Sequence, residues 1–285
     1  MNILITGGTG FIGSSLAEWF KLYTGFKVVL TPSHTEMDLT DRNSIYDYLK
    51  WHRVDAVIHA ARTPARRYAR DNINAVYTNM LMFENLVVQM PRDTKLICFG
   101  SGAEFDMNFD IDDCPEELIY NHVSTEYGGF LKGIIAKRIL AIDNPLCYNA
   151  RVFACFGEKE ENDRFIKGNL LNILNGKPIV IHQDRFMDFF YVEDLATIVL
   201  QMLTVEGFTR DVNCVYARKR TLVDIAKMML DITKTKAIEF DTSGMDKNYT
   251  GSGLKLVVNN RRVLIGLHVG IARMWNSLQS GEHNA

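Results

Sequence analysis

A glycine-rich segment near the start of the chain constrains the fold more than any other feature of the sequence. An apolar run of strand length, residues 2–6, leads into Thr6-Gly7-Gly8-Thr9-Gly10-Phe11-Ile12-Gly13, where a helical pattern begins. Gly7 permits a tight turn, Gly10 lets backbone approach a pyrophosphate, and Gly13 lets the helix pack against the strand. The free N–H groups of a helix N-terminus attract phosphate. The spacing therefore predicts a dinucleotide site at Gly7, Gly10, Phe11, Ile12 and Gly13.

The first half of the chain alternates between strand-length apolar runs and segments of helical period. The predicted strands are 2–6, 27–31, 56–60, 96–99 and 150–153, and the predicted helices are 11–23, 41–52, 72–90 and 127–142. Such alternation is typical of βαβ units, in which helices cover both faces of a parallel sheet. The sequence therefore predicts an α/β fold built on a Rossmann-type doubly wound parallel sheet.

The regular alternation ends after Gly157. A charged stretch, 158–164, and an isolated predicted strand, 179–181, follow it. We expect a smaller C-terminal substrate-binding lobe that packs on the first unit, because no Pro/Gly linker separates them. The predicted Rossmann domain is 1–157 with part of 186–216, and the predicted lobe is 158–185 with 217–285.

Composition excludes several classes of protein. A formal net charge of -2 argues against a nucleic-acid partner, which would demand a basic surface. The five cysteines are widely spaced and never form a C-x-x-C pair, so neither a disulfide framework nor a metal site is expected. No apolar stretch approaches the roughly 18 residues of a membrane span, and no basic leader precedes the first strand. We expect a cytoplasmic protein without a membrane partner.

The end of the second predicted strand bears on which dinucleotide is bound. An acidic residue there would hydrogen-bond a ribose 2′-OH and repel a 2′-phosphate. This chain has Thr-Pro-Ser-His at 31–34 and no acidic residue before Glu36. Ser33 and His34 can donate to a phosphate, which favours NADP as the cofactor. A solvated turn is the alternative interpretation, and it leaves NAD open.

Several segments together resemble one enzyme family. They are the glycine turn, 36–41, 57–61, 99–104, 151–157 and 188–195. The chain is similar in these to the extended short-chain dehydrogenases/reductases, the NAD(P)-dependent nucleotide-sugar epimerase/dehydratase/reductase family, and most to its GDP-fucose synthase branch. The resemblance implies that Asp38 and Leu39 line an adenine pocket and that Ala60 and Ala61 follow the dinucleotide toward the nicotinamide. It implies that Tyr249 helps to close a site for a nucleoside-diphosphate sugar.

The resemblance also implies a catalytic tyrosine with a lysine four residues later on one helix. Tyr127 matches the tyrosine, but the next lysine is Lys132, five residues on, and Leu131 occupies the expected lysine position. Four residues turn a regular helix by about 40° and five by about 140°, which would aim the two side chains apart. Either the Gly128–Gly129 pair accommodates one extra residue, which we favour, or Gly128 takes the tyrosine position.

The family's catalytic serine or threonine is altered in one alignment. Gly102 then stands at its position, with Ser101 just before it. Ser101 is the predicted donor to a substrate carbonyl. If the strand stays extended, however, the Ser101 side chain should point to the other face. Ser124 and Thr125 are alternative donors.

Fucose synthases are expected to epimerise their sugar with a cysteine and a histidine. By alignment these positions hold Ala103 or Glu104 and Arg164, which cannot provide a thiol and an imidazole, so reduction without epimerisation is expected. Glu104 is a candidate base if it is buried. Arg164, Lys167 and Arg185 suit a substrate diphosphate because guanidinium groups match phosphate oxygens, although surface roles are almost as common.

These inferences lead to one predicted function and two alternatives. The sequence predicts an NADP-dependent reductase of a nucleoside-diphosphate 4-keto-6-deoxy sugar, with Tyr127 as proton donor and Lys132 holding the ribose. The alternatives are a nucleotide-sugar 4-epimerase with tightly held NAD and a dinucleotide-binding protein of weakened catalysis. Apolar stripes on helices 72–90 and 127–142 predict a homodimer seam, or simply cover the sheet.

Overall fold

The computed structural model describes residues 1–63, 72–235 and 244–281. The strands are β1 Asn2–Thr6, β2 Val28–Leu30, β3 Ala56–His59, β4 Lys95–Ser101, β5 Ile111–Cys114, β6 Cys147–Val152, β7 Ala154–Phe156, β8 Phe189–Tyr191, β9 Asp211–Cys214 and β10 Tyr249–Gly251. The helices are α1 Phe11–Tyr23, α2 Arg42–Trp51, α3 Ile73–Gln89, α4 Tyr127–Ala141, α5 Phe165–Leu174, α6 Val192–Thr204, α7 Leu222–Thr233, α8 Leu254–Asn259 and α9 Leu267–Ser280. Two 3₁₀ turns span Gly102–Phe105 and Glu116–Tyr120.

The central sheet has six parallel strands in the order β2-β1-β3-β4-β6-β9. The predicted Rossmann-type α/β fold is thus confirmed. All side chains of β3 and β6 are buried, as expected for strands covered on both faces. The chain moves from β1 to β2 on one side and then to β3 on the other. Ligands of open α/β sheets bind at such a switch point, beyond the carboxyl ends of the strands.

Two small parallel sheets bring later parts of the chain to this edge. β7 pairs with β8, and β5 pairs with β10. A single bridge joins Met187 to Tyr249. These pairings place β10 beside the end of β4, although almost 150 residues separate them in sequence.

The segment 179–181 differs from the prediction. It forms no strand; instead Val180 N–H donates to the Asn169 side chain at 2.8 Å. Ile179 and Ile181 are both buried in the largest apolar cluster. Their alternating burial gives the sequence pattern of a strand, but the backbone groups bond to a side chain and not to a partner strand.

The largest apolar cluster extends across the whole described chain. It contains Ile3 and Ile5 of β1 together with Ile271 and Met274 of α9. The C-terminal helices therefore share one core with the sheet, as expected in the absence of a linker.

The described residues form no helix that could cross a membrane, no disulfide and no cluster that could hold a metal ion. No helix among the described residues is long and apolar enough to cross a membrane. All five cysteines are free thiols, and four of them are buried. In the part of the chain that the structure describes, no cluster of three or more His, Cys, Asp or Glu side chains could hold a metal ion.

Candidate active site

The glycine turn between β1 and α1 is shaped for a diphosphate. Gly7 has φ of 68°, and a Cβ built there would lie 2.6 Å from Ala61 N. A Cβ at Gly13 would overlap the carbonyl oxygen of Gly7. At exposed Gly10, the helix N-cap, the nearest atom to a Cβ is 3.4 Å away, so the space above the first helical turn is open. The first amides of α1 have no acceptor within the helix, so the turn fits a dinucleotide pyrophosphate.

The ends of β1 and β3 are joined beside this turn. Thr6 Oγ1 and His59 Nδ1 are 2.9 Å apart, and Ala61 N–H donates to Thr6 Oγ1 at 3.3 Å. Burial lowers the pKa of His59 to about 3, with a smaller contribution from the nearby Lys132 charge. His59 is therefore neutral at physiological pH, and it packs under the site as a structural side chain. Ala60 and Ala61 directly follow His59 at the carboxyl end of β3, where the dinucleotide was expected to pass.

At the predicted site for the adenosine part of the dinucleotide, the Glu36 carboxylate contacts Ser33, which the sequence did not indicate. The N–H and hydroxyl of Ser33 both donate to the Glu36 carboxylate at 2.8 Å. These bonds lower the pKa of Glu36. His34 is exposed, with Nδ1 3.6 Å from Asp38 Oδ1. A 2′-phosphate would therefore compete with Glu36 for the donors that were expected to bind it.

The neighbouring predicted residues are held by local bonds. The N–H and hydroxyl of Thr40 donate to Asp38 Oδ1 at 2.8 and 2.7 Å. Leu39 is buried in the second apolar cluster. Asp38 thus stabilises the loop after β2 by hydrogen bonds, and Leu39 stabilises it by packing.

A cavity of about 650 Å³ opens beyond the carboxyl end of β4. Its lining includes six of the residues that the sequence predicted to contact substrate or take part in catalysis, namely Ser101, Tyr127, Lys132, Arg164, Arg185 and Tyr249. It further includes Arg62, Ala103, Met107, Thr125, Glu126, Gly128, Gly129, Phe153, Ala154 and Met187. None of these described lining residues is a cysteine or a histidine. The cavity therefore offers hydroxyl groups, cations and the carboxylate of Glu126.

Ser101 lines this cavity, contrary to the expectation that its side chain would point away. It is the last residue of β4 and caps the 3₁₀ turn, with Oγ accepting from Ala103 N–H at 3.2 Å. At Gly102 there is no room for a side chain, because a Cβ there would overlap the Phe153 ring. The glycine is thus required by packing, and a hydroxyl remains available at the preceding residue.

The start of α4 also differs from the favoured expectation. The helix is regular from Tyr127, and Phe130 N–H donates to Glu126 O at 2.8 Å, the normal four-residue bond. The glycine pair therefore accommodates no extra residue. Tyr127 lines the cavity with 48% of its surface exposed. Lys132 Nζ donates to Phe99 O at 2.6 Å, which holds it against the end of β4.

Glu104 does not reach the cavity, and this corrects its prediction as a substrate-contacting base. It is fully buried and accepts from Ser101 N–H and Arg151 Nε, both at 2.7 Å. Burial raises the pKa of Glu104 despite the charge of Arg151. Arg151 also contacts Asp211 and Asn213. The sequence did not predict this ion-pair network, because its members lie on the 3₁₀ turn after β4, on β6 and on β9. The available signal was an arginine, Arg151, within a strand whose side chains are all buried.

The predicted diphosphate cations divide into two groups. Arg164 and Arg185 both line the cavity; Arg164 lies 3.8 Å from Glu160, and Arg185 lies 3.4 Å from Asp246. Lys167 is buried and donates to the carbonyls of Glu158 and Glu160, both at 2.7 Å. The expectation for Lys167 is therefore wrong, because its ammonium stabilises a loop.

Tyr249 reaches the cavity from β10. Only 6% of its surface is exposed, and its hydroxyl oxygen lies 3.4 Å from Ser101 Oγ. The sequence placed Tyr249 in a segment that closes the substrate site. The contact with Ser101 was not foreseen, since the two residues are 148 positions apart.

The chain is similar to known proteins over most of its length. A model of the NAD dependent epimerase/dehydratase family matches residues 3–214. GDP-L-colitose synthase of Yersinia pseudotuberculosis is 25% identical over 256 residues, which cover 81% of this chain and 82% of that protein.

Two solved structures share the fold. A GDP-L-fucose synthetase from Naegleria fowleri bound to NADP has a TM-score of 0.80 at 19% identity, covering 99% of this chain and 94% of that one. The UDP-glucose 4-epimerase of Thermus thermophilus in complex with NAD has a TM-score of 0.76 at 19% identity, covering 98% of this chain and 99% of that one. The similarity of fold extends in both cases over almost the whole chain.

Proposed function

The chain belongs to the NAD dependent epimerase/dehydratase family, and from this premise we propose that it is an NADP-dependent reductase of a nucleoside-diphosphate 4-keto-6-deoxy sugar. The single observation that carries the proposal is the lining of the cavity. Ser101, Lys132 and Tyr249 provide hydroxyl and ammonium groups, while no described lining residue is a cysteine or histidine that could epimerise the sugar. Hydroxyl donors suffice for the reduction of a carbonyl.

The glycine turn supports the choice of cofactor type. A bound dinucleotide would place its diphosphate against the amides of Phe11, Ile12 and Gly13, where the dipole of α1 favours negative charge. Reduced dinucleotide supplies a hydride to the carbonyl carbon of the substrate. NADP is the predicted form and NAD the alternative, because Glu36 holds both donors of Ser33.

Lys132 is the residue best placed to serve both parts of the site. It lines the cavity and lies close enough to His59 for its charge to contribute to lowering the pKa of that imidazole. Its ammonium would hold the nicotinamide ribose and stabilise negative charge that develops on the carbonyl oxygen. Tyr127 is the proton donor that the sequence predicts, and it lies at the same cavity.

The substrate end of the cavity carries two guanidinium groups. Arg164 and Arg185 would bind the diphosphate of the sugar nucleotide. Segments 158–185 and 217–285 would together form the substrate-binding lobe. Two of the similar proteins are named for GDP-linked sugars, so a GDP sugar is the first substrate to test.

A homodimer is proposed as well. Ile73, Tyr77 and Val88 on α3 are each more than half exposed. These apolar side chains, with neighbouring parts of α4, would form the seam between two copies.

The proposed function is tested by NADPH oxidation. Purified protein is assayed by absorbance of the reduced nicotinamide against GDP-, dTDP-, UDP- and CDP-linked 4-keto-6-deoxy sugars, with NADH in parallel. We expect stoichiometric oxidation with one of them. Sugar interconversion without net oxidation would support the 4-epimerase, and NAD that remains bound through purification would support it further.

One observation favours a second candidate. Gly128 stands four residues before Lys132, where a tyrosine would share its pocket. A protein that binds dinucleotide and sugar nucleotide with weakened catalysis would fit this substitution. It predicts tight binding of both ligands without measurable oxidation.

A further inference from the structure

Helix α4 leaves one side-chain position of the cavity empty. Gly128 lies four residues before Lys132 and lines the same cavity, whereas Tyr127 lies five residues before it. Four residues differ by about 40° around a regular helix and five by about 140°. Because α4 is regular from Tyr127, a tyrosine that shares a pocket with Lys132 would stand at residue 128. The chain has no hydroxyl there.

Another tyrosine enters the cavity from a different part of the chain. Tyr249 is almost fully buried, lines the cavity and has its hydroxyl oxygen 3.4 Å from Ser101 Oγ. Ser101 lines the same cavity and stands at the end of β4. Two hydroxyl groups therefore meet at one point of the wall, and a substrate oxygen placed there can bond to both.

The position of Tyr249 is fixed by its backbone and by its ring. Its N–H donates to Phe186 O at 2.9 Å, and its carbonyl accepts from Asp188 N–H at 3.1 Å. The Phe153 ring lies edge-on to the Tyr249 ring, with centroids 5.1 Å apart. A Cβ at Gly251 would overlap that Phe153 ring. These contacts hold the hydroxyl in one place without using it.

The electrostatic setting keeps this phenol protonated. Burial raises the pKa of Tyr249 to about 12, and the hydrogen bond with Ser101 offsets part of that effect. Glu104 raises the pKa further, and Arg164 lowers it. At neutral pH the hydroxyl is a proton donor, while an alkoxide on the substrate is a stronger base than the resulting phenolate.

We infer that Tyr249, and not Tyr127, donates the proton to the substrate carbonyl oxygen, with Ser101 bonded to that oxygen; the inference rests on the proposed reductase function. Reduced nicotinamide dinucleotide is the reductant, and its hydride brings the electron pair for the new C–H bond. The π pair of the carbonyl moves onto oxygen, which takes the proton of Tyr249. The phenolate keeps the pair of the broken O–H bond, and water returns the proton to it.

Three matched substitutions test the inference. Tyr249→Phe and Tyr127→Phe each remove one hydroxyl, and Tyr46→Phe, on exposed α2, is the control. We measure kcat and KM with the sugar that the wild type reduces, the NADPH Kd by fluorescence, and the affinity for the isolated sugar-nucleotide product by calorimetry without dinucleotide.

Tyr249→Phe is expected to lower kcat at least about 100-fold, the usual loss for a general acid. Its NADPH Kd stays within about twofold, and product affinity falls about tenfold because one hydrogen bond to the product is lost. Tyr127→Phe lowers kcat less than about tenfold, and Tyr46→Phe matches the wild type.

Other results would distinguish failure of the Tyr249 role from failure of the reductase function. If the wild type is active and Tyr249→Phe keeps more than about a third of its kcat, the inference is overturned and the reductase function stands. A Tyr249→Phe protein that no longer binds NADPH also overturns it, since the tyrosine is then structural. A wild type that oxidises NADPH with none of the sugars contradicts the proposed function and, with it, the inference.

Discussion

The glycine turn and the β4 cavity are adjacent sites built in opposite ways. The turn is made by residues 7–13. Its glycines contact either atoms within the turn or the residues that directly follow β2 and β3. The cavity instead joins Ser101, Lys132 and Tyr249, which come from β4, α4 and β10. Residue spacing in the sequence is therefore enough to predict a local site. It does not predict a site assembled from distant elements, because such a site depends on how those elements pack.

The buried ion-pair network beneath Ser101 gives the largest expected effect of such packing. Arg151→Met leaves Glu104 and Asp211 buried without their cation, which should cost about 3–5 kcal/mol of unfolding free energy. Urea denaturation measures it. The control, Arg138→Met, removes a partly exposed pair with Glu84 and should cost at most about 1 kcal/mol. Equal losses in both variants would show that the network does not support the cavity.

The turn gives the next largest effect. Gly13→Ala places a Cβ on the Gly7 carbonyl oxygen, so the glycine turn must open. The NADPH Kd should then rise at least about 100-fold. Gly133→Ala is the matched helical control, because nothing lies within 4 Å of its Cβ. Fluorescence titration compares them. An unchanged Kd for Gly13→Ala would remove the basis for placing the diphosphate there.

The tyrosine hydroxyl of the cavity can be moved from β10 to helix α4, which already carries Lys132. In Tyr249→Phe, a second change, Gly128→Tyr, restores a tyrosine four residues before Lys132. We expect kcat to recover at least about tenfold, because a hydroxyl again shares the pocket with the lysine. Steady-state oxidation of NADPH measures the recovery. If the double variant gains nothing over Tyr249→Phe, the regular geometry of α4 does not explain why residue 127 is unsuited to the role.

Glu36 gives the smallest effect. Glu36→Gln removes the charge that faces Ser33, so NADPH should bind about threefold more tightly relative to NADH. The ratio of the two Kd values measures this, and Glu206→Gln, in an exposed loop, is the control. A ratio that does not move would show that the 2′-phosphate lies elsewhere.

The same contrast explains what the sequence could predict. The order of strands and helices in the first half of the chain and the glycine turn follow from local period and spacing, and both were predicted; the elements after Gly157 were not. The two glycines at 128 and 129 suggested an irregular helix start, yet the backbone bonds of α4 keep it regular. Glycine tolerates irregular backbone but does not require it.

The cavity residues were predicted only in part. Ser101 was predicted as a donor, but its orientation follows from the 3₁₀ turn that its side chain caps, which the spacing of the sequence did not indicate. Glu104 was taken for a base because its partner, Arg151, lies 47 positions away. Such pairs follow from the register between strands, and a single sequence does not contain that register.

The transfer of deuterium tests the central claim most directly. Wild-type protein is supplied with NADPH carrying deuterium at the transferred position of the nicotinamide and with its preferred 4-keto sugar nucleotide, and the product is analysed by mass spectrometry and NMR. We expect one deuterium at C4 of the sugar for each NADPH oxidised. A product without deuterium, formed with no net oxidation of NADPH, would contradict it.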